Sequence, residues 1–408
     1  MDLDARATIA VVGASLAGLR AAETLRADGF GGRIVLVGAE RHEPYDRPPL
    51  SKQFLAGTWD RDRIRLRDHE KFAALGLDLR LGHSAGALDA AGHRLELDSG
   101  DTVVFDGAVL STGALPRVMV GTADVLGVHS LRTLEDALAL RDAVTEGTAL
   151  VVVGAGFIGS EVAATCHGLG ARVTVVEALP VPLARVLGDA MGAACAALHA
   201  DHGVDVRTGV GVARLETTAS AAGRRVTGVA LIDGTVIPAD LVVVGIGVTP
   251  ATDWLAGSGL DIDNGVRADA TLHAADAVVV AGDVARWFDP RLGQDIRIEH
   301  WTNAAEQGVA AARNLLAGRR RAEPYAPVPY FWSDQYDTKI QLIGHPRPGD
   351  EVVVVDVSVE ERRFVALYGR AGRLTAAVGF SRPRQLMGFR PLVEARVSLT
   401  EARAHLSS

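Results

Sequence analysis

Two stretches of this chain have the residue types and spacing to hold a pyrophosphate. The first is Ile9-Ala-Val-Val-Gly13-Ala-Ser15-Leu16-Ala17-Gly18, the second Leu150-Val-Val-Val-Gly154-Ala-Gly156-Phe157-Ile158-Gly159. Each follows a short apolar run that reads as a buried strand, and each opens a helix. In such a turn the first glycine permits the tight strand-to-helix reversal, the second lets the backbone approach a pyrophosphate, and the third lets helix and strand pack closely. The helix N-terminus then presents free N–H groups and a partial positive charge to the phosphates. The second turn meets every requirement. The first has Ser15 at the middle position, a small side chain that narrows the approach without closing it. Two such turns in one chain predict two bound nucleotides with electrons passing from one to the other.

An acidic residue at the end of the following strand completes this kind of site by accepting hydrogen bonds from a ribose. Glu177 closes Val173-Thr-Val-Val-Glu177, 18 residues after Gly159. There it would accept from a ribose 2′-OH and repel a 2′-phosphate, which predicts NADH over NADPH. Glu40 follows the strand Arg33-Ile-Val-Leu-Val-Gly at a slightly longer offset. The alternative for either residue is a solvated strand-end carboxylate. Lysine is rare: Lys52, Lys71 and Lys339 are the only three among 42 basic Lys and Arg residues. Lys52 lies in His42-Glu-Pro-Tyr-Asp-Arg-Pro-Pro-Leu-Ser-Lys52, where three prolines argue against helix and for a stiff loop. Where arginine is so favoured, a lysine in such a loop points to a need for a compact ammonium, although a surface lysine is the plainer reading.

The elements that must position these residues follow from the pattern. Residues 7–113 read as a first nucleotide-binding domain, with a strand over 103–112. A linker near 114–131 leads to a helix over 133–145, and a second nucleotide domain runs from about 149 to 245 with a hairpin tip at 221–225. Residues 247–250 turn the chain back, and Ala277-Val-Val-Val-Ala-Gly-Asp283 is a further buried strand ending in an acid. Asn303 followed by Glu306 predicts a capped helix N-terminus, the helix running to Gly318. The stretch 319–329 is charged and proline-rich, a linker. Short alternating strands at 351–359, 364–368 and 374–380 then form a small α+β domain. The expected division is 1–113 with 247–322 for one nucleotide domain, 114–246 for the other, inserted in the first, and 323–408 for the C-terminal domain.

At 408 residues the chain exceeds one core, and 48% hydrophobic residues suit a well-buried α/β protein. A net charge of −8 argues against nucleic acid as a partner. Only Cys166 and Cys195 are present. They form no Cys-x-x-Cys pair, so no disulfide framework or metal site is expected and both read as small buried apolar residues. The first strand begins within ten residues, which leaves no room for a signal peptide, and no apolar run is long enough to span a bilayer. The expected location is the cytoplasm, with no membrane contact.

With these motifs in place, the chain resembles the FAD-dependent pyridine nucleotide oxidoreductases of the glutathione reductase fold. More narrowly it resembles the NADH-dependent ferredoxin reductases of bacterial cytochrome P450 and ring-hydroxylating dioxygenase systems, of the putidaredoxin reductase type. The resemblance rests on Pro44-Tyr-Asp-Arg-Pro-Pro-Leu-Ser-Lys52, Leu131-Arg-Thr-Leu-Glu-Asp136, Gly156-Phe-Ile-Gly-Ser-Glu161, Ala281-Gly-Asp283, Glu299-His-Trp-Thr-Asn-Ala304 and Tyr330-Phe-Trp-Ser-Asp-Gln335. It implies that the first turn (Gly13, Ser15, Leu16, Ala17, Gly18) binds FAD with Glu40, Arg47, Lys52, Ala85, Thr112, Gly113, Arg132, Gly282, Asp283 and His300. It implies that the second turn (Gly154, Gly156, Phe157, Ile158, Gly159) binds NAD(H) with Glu177 and Gly245. Asp283 would hold the ribityl chain; its other reading is a helix N-cap. Trp301 and Trp332 would flank the flavin, unless they are core residues.

In the implied reaction a hydride passes from NADH to flavin N5, and two electrons leave singly to a [2Fe–2S] ferredoxin serving a P450 or dioxygenase. Lys52 near N5 would stabilise negative charge on the reduced ring, with Glu161 as its partner. The helix that starts at Asn303 would point its positive end at the pyrimidine edge. Lys52, Glu161 and Trp332 are the expected catalytic residues, and the ferredoxin is expected near Trp332, Lys339 and the C-terminal domain. A monomer or weak homodimer is expected. A disulfide reductase or a cysteine-type peroxidase would need a cysteine soon after the first turn, and none precedes Cys166. A rubredoxin or nitrite reductase-type flavoprotein, and a nucleotide-binding regulator like the apoptosis-inducing factors, share the same motifs.

Overall fold

The computed structural model describes residues 6–356 and 359–405. The chain divides into two compact units. One comprises the stretch up to Asp46 with Arg61–Leu115 and Thr249–Pro327; the other comprises Arg47–Asp60, Pro116–Val248 and the chain from Val328 onward.

The first unit is built on a six-stranded sheet in the order His273–Ala275, Val278–Val280, Gly107–Leu110, Thr8–Val12, Arg33–Gly38, Asp78–Leu81. All pairs are parallel except the one at the His273–Ala275 edge. The inner strands are continuous apolar runs because helices or a second sheet cover both faces. Val109 sits opposite Val279, so the sheet is completed by a strand that arrives only after the inserted segment. On one face the helices Leu16–Ala27 and Trp301–Ala317 pack together over Ile9, Val11, Leu36 and Val279. A Cβ at Gly308 would overlap the carbonyl oxygen of Ala17, so this close crossing requires glycine. The other face carries a small antiparallel sheet of Ala85–Asp89, Arg94–Leu97 and Thr102–Val104.

The single strand expected over 103–112 is therefore two strands in two sheets. Asp106 makes the switch: its carboxylate accepts from the N–H of Thr8 at 2.8 Å while its own N–H donates to the Thr8 carbonyl. A polar residue that turns the chain between sheets is hidden inside an otherwise apolar run.

The second unit has a five-stranded parallel sheet in the order Val128–His129, Leu241–Val244, Ala149–Val153, Arg172–Glu177, Asp205–Thr208. The helix Leu134–Ala143 starts in a complete capping box of Thr133 and Asp136. Residues 248–250, expected in a turn, form a short strand. The C-terminal portion is a five-stranded antiparallel sheet in the order Tyr330–Gln335, Thr338–Gly344, Arg373–Phe380, Phe364–Arg370, Glu351–Asp356. Of the strand expected over 351–359, Val357 and Ser358 lie outside the described residues. One face of this sheet packs on the helix Ala184–Asp201 through Leu187, Met191, Cys195 and Leu198; the Tyr368 hydroxyl donates to the Leu187 carbonyl at 2.8 Å.

The proline-rich segment, read from sequence as part of 1–113, packs in this second unit. Leu55 lies in a core with Leu140, Val162 and Cys166, Arg141 stacks over Phe54 at 5.2 Å, and Thr165 Oγ1 donates to the Ser51 carbonyl at 2.8 Å. Its prolines do not exclude helical turns either. Pro48–Ser51 is a 3₁₀ turn with proline in its first positions, where no N–H donor is needed.

Candidate functional site

The two glycine-rich turns repeat one geometry in the two units. Gly13 and Gly154 have φ of 117° and 100°, and a Cβ at either would strike the carbonyl oxygen of Ser111 or Gly245, respectively. Gly18 and Gly159 face back onto the carbonyl oxygens of Gly13 and Gly154 so closely that no side chain fits. The matching hydrogen bonds agree in length: Gly13 N–H to Val37 and Gly154 N–H to Val176 at 2.8 Å, Ser111 N–H to Val12 and Gly245 N–H to Val153 at 2.7 Å. A Cβ on Gly156 would meet nothing within 4 Å. That open cradle, at the start of the twelve-residue helix Phe157–Gly168, fits the approach of a pyrophosphate. In the first turn Ser15 is the N-cap of Leu16–Ala27 in extended conformation, and its carbonyl accepts from the Leu19 N–H at 2.9 Å. The N–H groups of Leu16, Ala17 and Gly18 therefore belong to a helix start.

In the second unit Glu177 ends its strand beside the turn. One carboxylate oxygen accepts from the Ala155 N–H at 2.8 Å and the other from the Leu179 N–H at 2.9 Å. The carboxylate is thus fixed by two backbone donors and keeps lone pairs for a ribose diol. Phe157 contacts Phe331 with ring centroids 3.9 Å apart, and Ile158 is exposed.

In the first unit Glu40 follows its strand and accepts from the Tyr45 hydroxyl. Thr112 and Gly113 follow the neighbouring strand Gly107–Leu110, where Thr112 Oγ1 donates to the Ala251 carbonyl at 2.9 Å. Asp283 lies in the 3₁₀ turn Gly282–Val284 after Val278–Val280. It caps no α-helix. The Gly13, Thr112 and Asp283 segments all follow the carboxyl ends of adjacent parallel strands, where open α/β sheets bind ligands. Gly282 has φ of 79° and donates to Gln307 Oε1 at 2.8 Å, and the Asp283 carbonyl accepts from Arg297 at 3.1 Å. Ala85 opens the small antiparallel sheet.

The helix Trp301–Ala317 begins one turn earlier than the capping-box reading had it, with His300 at the N-cap and no side-chain cap. Asn303 is inside the helix and 3% exposed; its amide donates to the Ile298 carbonyl at 3.2 Å and its oxygen accepts from the Tyr325 hydroxyl at 3.2 Å. A local [ST/N]-x-x-E pattern was outweighed by a tertiary use for the asparagine. The helix does end at Gly318, at φ 67°. Trp301 is half-buried and its Nε1–H donates to Asp46 at 2.6 Å.

The second unit also holds Lys52 and Glu161 as an ion pair at 2.5 Å, with side chains 10% and 3% exposed. Lys52 Nζ further donates to the Pro48 carbonyl at 2.9 Å and to Ser51 Oγ at 3.1 Å. Glu161 Oε2 accepts from Ser51 Oγ at 2.6 Å, and Oε1 accepts from Ser333 Oγ at 2.7 Å. Arg47 donates to the Arg132 carbonyl, and the Arg132 N–H donates to Asp136 at 2.9 Å. Trp332, next to Ser333, stacks against Tyr330 with centroids 6.2 Å apart. Sequence reading missed Ser51, Ser333, Arg297 and Gln307. Strand alternation carried a signal for Ser333, since Ser333 and Gln335 are polar residues on the buried face of Tyr330–Gln335.

The cysteines take no part in this chemistry. Burial pushes both thiols up to about 12, so neither supplies a thiolate near neutral pH.

Comparison with known proteins accords with this geometry. Residues 7–308 match the pyridine nucleotide-disulphide oxidoreductase family, and residues 330–405 match the reductase C-terminal family. The chain is 38% identical to rhodocoxin reductase of Rhodococcus erythropolis over 97% of its length and 92% of that protein's. It is 39% identical to the ferredoxin–NAD(+) reductase component of the anthranilate 1,2-dioxygenase system of Burkholderia cepacia, over 94% of this chain and 93% of that one. The structure of putidaredoxin reductase in its covalent complex with putidaredoxin superposes with a TM-score of 0.91 at 32% identity, covering 97% of this chain and 94% of that one. The chain belongs to the pyridine nucleotide-disulphide oxidoreductase family and carries that family's reductase C-terminal domain.

Proposed function

We propose that this protein is an NADH-dependent ferredoxin reductase, which takes electrons from NADH through FAD to a [2Fe–2S] ferredoxin. The observation that carries the reading is the repeated cradle: one chain holds two pyrophosphate turns of the same geometry, and no reactive thiol accompanies them. FAD, when bound, supplies the conversion between a two-electron hydride donor and a one-electron acceptor. The protein's own task is to bind, orient and stabilise charge.

In this reading residues 1–113 and 247–322 hold FAD through Gly13, Ser15–Gly18, Glu40, Thr112, Gly113, Gly282 and Asp283, with Trp301 shielding the site from water. Residues 114–246 hold the dinucleotide through Gly154–Gly159, Gly245 and Glu177, whose charge disfavours the 2′-phosphate of NADPH. The Lys52 ammonium, fixed by Glu161, stabilises negative charge on the reduced flavin. Residues 323–408, with Trp332 and Lys339, receive the ferredoxin, which serves a P450 or dioxygenase. The protein works in the cytoplasm as a monomer or weak homodimer; among the described residues no helix is long and apolar enough to cross a membrane.

The test is a purified, yellow sample that NADH bleaches without oxygen and that reduces cytochrome c rapidly only when a [2Fe–2S] ferredoxin is added. A colourless sample that takes up no FAD and leaves NADH unconsumed refutes the assignment. Slow turnover with a long-lived flavin–nicotinamide absorption band would instead indicate a nucleotide-sensing regulator.

A further inference from the structure

The Lys52–Glu161 pair is closed by a residue from a distant part of the chain. Glu161 Oε1 accepts from Ser333 Oγ at 2.7 Å, while Oε2 faces Lys52 at 2.5 Å and Ser51 at 2.6 Å. Ser333 is 0% exposed, and its oxygen also accepts from Gln335 Nε2 at 3.3 Å, itself a fully buried side chain. The single hydroxyl proton of Ser333 is thereby committed to Glu161, since the second partner is a donor. A carboxylate held at one oxygen only can swing about its terminal torsion, which is broad and soft. Held at both oxygens, it presents one oxygen to Lys52 in one orientation. A hydroxyl-to-carboxylate bond at this distance in a dry site is of the stronger, charge-assisted kind.

We infer that Ser333 is a positioning residue for flavin reduction: from the C-terminal sheet it aims Glu161, and through Glu161 it fixes the Lys52 ammonium. This deepens the reading of Lys52 given above and rests on it. The C-terminal sheet then contributes to the reductive half of the reaction as well as carrying the proposed ferredoxin surface.

The experiment uses holoprotein and single-turnover reduction by NADH without oxygen, in Ser333→Ala, Lys52→Met and the double variant. Loss of one charge-assisted hydrogen bond predicts that the limiting rate in Ser333→Ala falls about ten-fold, with the half-saturating NADH concentration changed by less than about two-fold. Ser333→Thr, which keeps the hydroxyl, restores most of the rate. In the Lys52→Met background Ser333→Ala causes no further slowing, because the two act through one group. The flavin midpoint potential, measured without NADH or ferredoxin, falls in Ser333→Ala in the same direction as in Lys52→Met. Should Ser333→Ala melt well below the wild type, Ser333→Cys keeps the packing with a weaker donor and is expected to show the same slowing. Wild-type rates in both Ser333→Ala and Ser333→Cys with a slow Lys52→Met overturn the inference and leave Lys52 in place. Losses that simply multiply in the double variant make Ser333 structural and also overturn it. A wild-type rate in Lys52→Met overturns the reading of Lys52 itself and removes the inference with it.

Discussion

Replacing Lys52 with methionine removes the charge facing Glu161 and leaves a carboxylate 3% exposed, with two hydroxyls for partners. Breaking a buried pair from one side typically costs about 3–5 kcal/mol, because the surviving charge is desolvated and uncompensated. Ser51 and Ser333 remain as charge-assisted donors, so the lower end, about 3 kcal/mol, is expected here. Glutamine at 161 is neutral and nearly the same shape. With its oxygen in the place of Oε2 it accepts from the Ser51 hydroxyl, and its amide in the place of Oε1 donates to the Ser333 oxygen. The double variant Lys52→Met/Glu161→Gln should therefore recover most of the loss and lie within about 1.5 kcal/mol of the wild type. Glu161 sits on the helix Phe157–Gly168, so amide exchange in that helix reads the local opening free energy directly. The single variant should exchange there about 100-fold faster, which is roughly 3 kcal/mol at 1.4 kcal/mol per decade, and the double variant no more than about ten-fold faster. An exchange rate in Lys52→Met within three-fold of wild type, or a double variant as fast as the single, would refute the claim that this pair is desolvated and mutually dependent.

The two turns can be separated by equivalent substitutions. Gly13→Ala adds a Cβ into the Ser111 carbonyl at φ 117° and should give protein that purifies without FAD, whereas Gly154→Ala should stay yellow yet resist bleaching by NADH; absorbance at 450 nm distinguishes them. Glu177→Ala deletes the acceptor of two backbone N–H groups as well as the proposed ribose contact. It should raise KM for NADH at least about ten-fold with little change in bound FAD, read from steady-state kinetics and the flavin spectrum. His199 is 0% exposed, and burial together with neighbouring His202 lowers its pKa to about 4. Between about pH 6.5 and 4 the unfolded chain binds a proton that the folded one refuses, so stability falls as pH drops, by roughly 3 kcal/mol in all. His199→Gln should flatten that part of a pH–stability profile measured by urea unfolding.

The parts of the fold that were legible in the sequence are those set by local rules. Apolar runs followed by Gly-x-Gly/Ser-x-x-Gly marked a central strand in each of the two nucleotide-binding sheets. The helix expected over 133–145 begins at Leu134 behind the Thr133–Asp136 capping box, and Gly318 marked a helix end, because φ of 67° is costly for other residues. The readings that failed each met a stronger non-local partner. Asp106 divides an apolar run because it bonds to Thr8, 98 residues away. Asn303 is no cap because Tyr325 and the Ile298 carbonyl claim its amide. The segment Arg47–Asp60 packs with the second unit because Leu55 finds its apolar partners, and Phe54 the Arg141 guanidinium, on the helices Leu134–Ala143 and Phe157–Gly168. Apart from the Ile298 carbonyl, these partners lie beyond the reach of a sequence window.

The candidate site follows one further rule, which a reading by conserved motif alone does not use. Binary patterning should place apolar residues on buried faces, so a polar side chain on such a face needs a reason. Glu161, Asn303, Gln307, Ser333 and Gln335 all break the pattern, and all are 5% exposed or less. Left unbonded, each would cost about 1–3 kcal/mol. Instead Glu161 gathers Ser51, Lys52 and Ser333, while Gln307 and Asn303 bond to each other and Gln307 also holds the Gly282 N–H ahead of Asp283. Both networks thus end on segments that the cofactor motifs independently mark, the Lys52 loop in one unit and the Gly282–Asp283 turn in the other. Motifs name the residues that meet a ligand; broken patterning names those that hold them still. Alternation along Tyr330–Gln335 sets Ser333 and Gln335 on one face, and with that face buried both are polar side chains in need of partners, which singles out Ser333 as the residue that steadies Glu161.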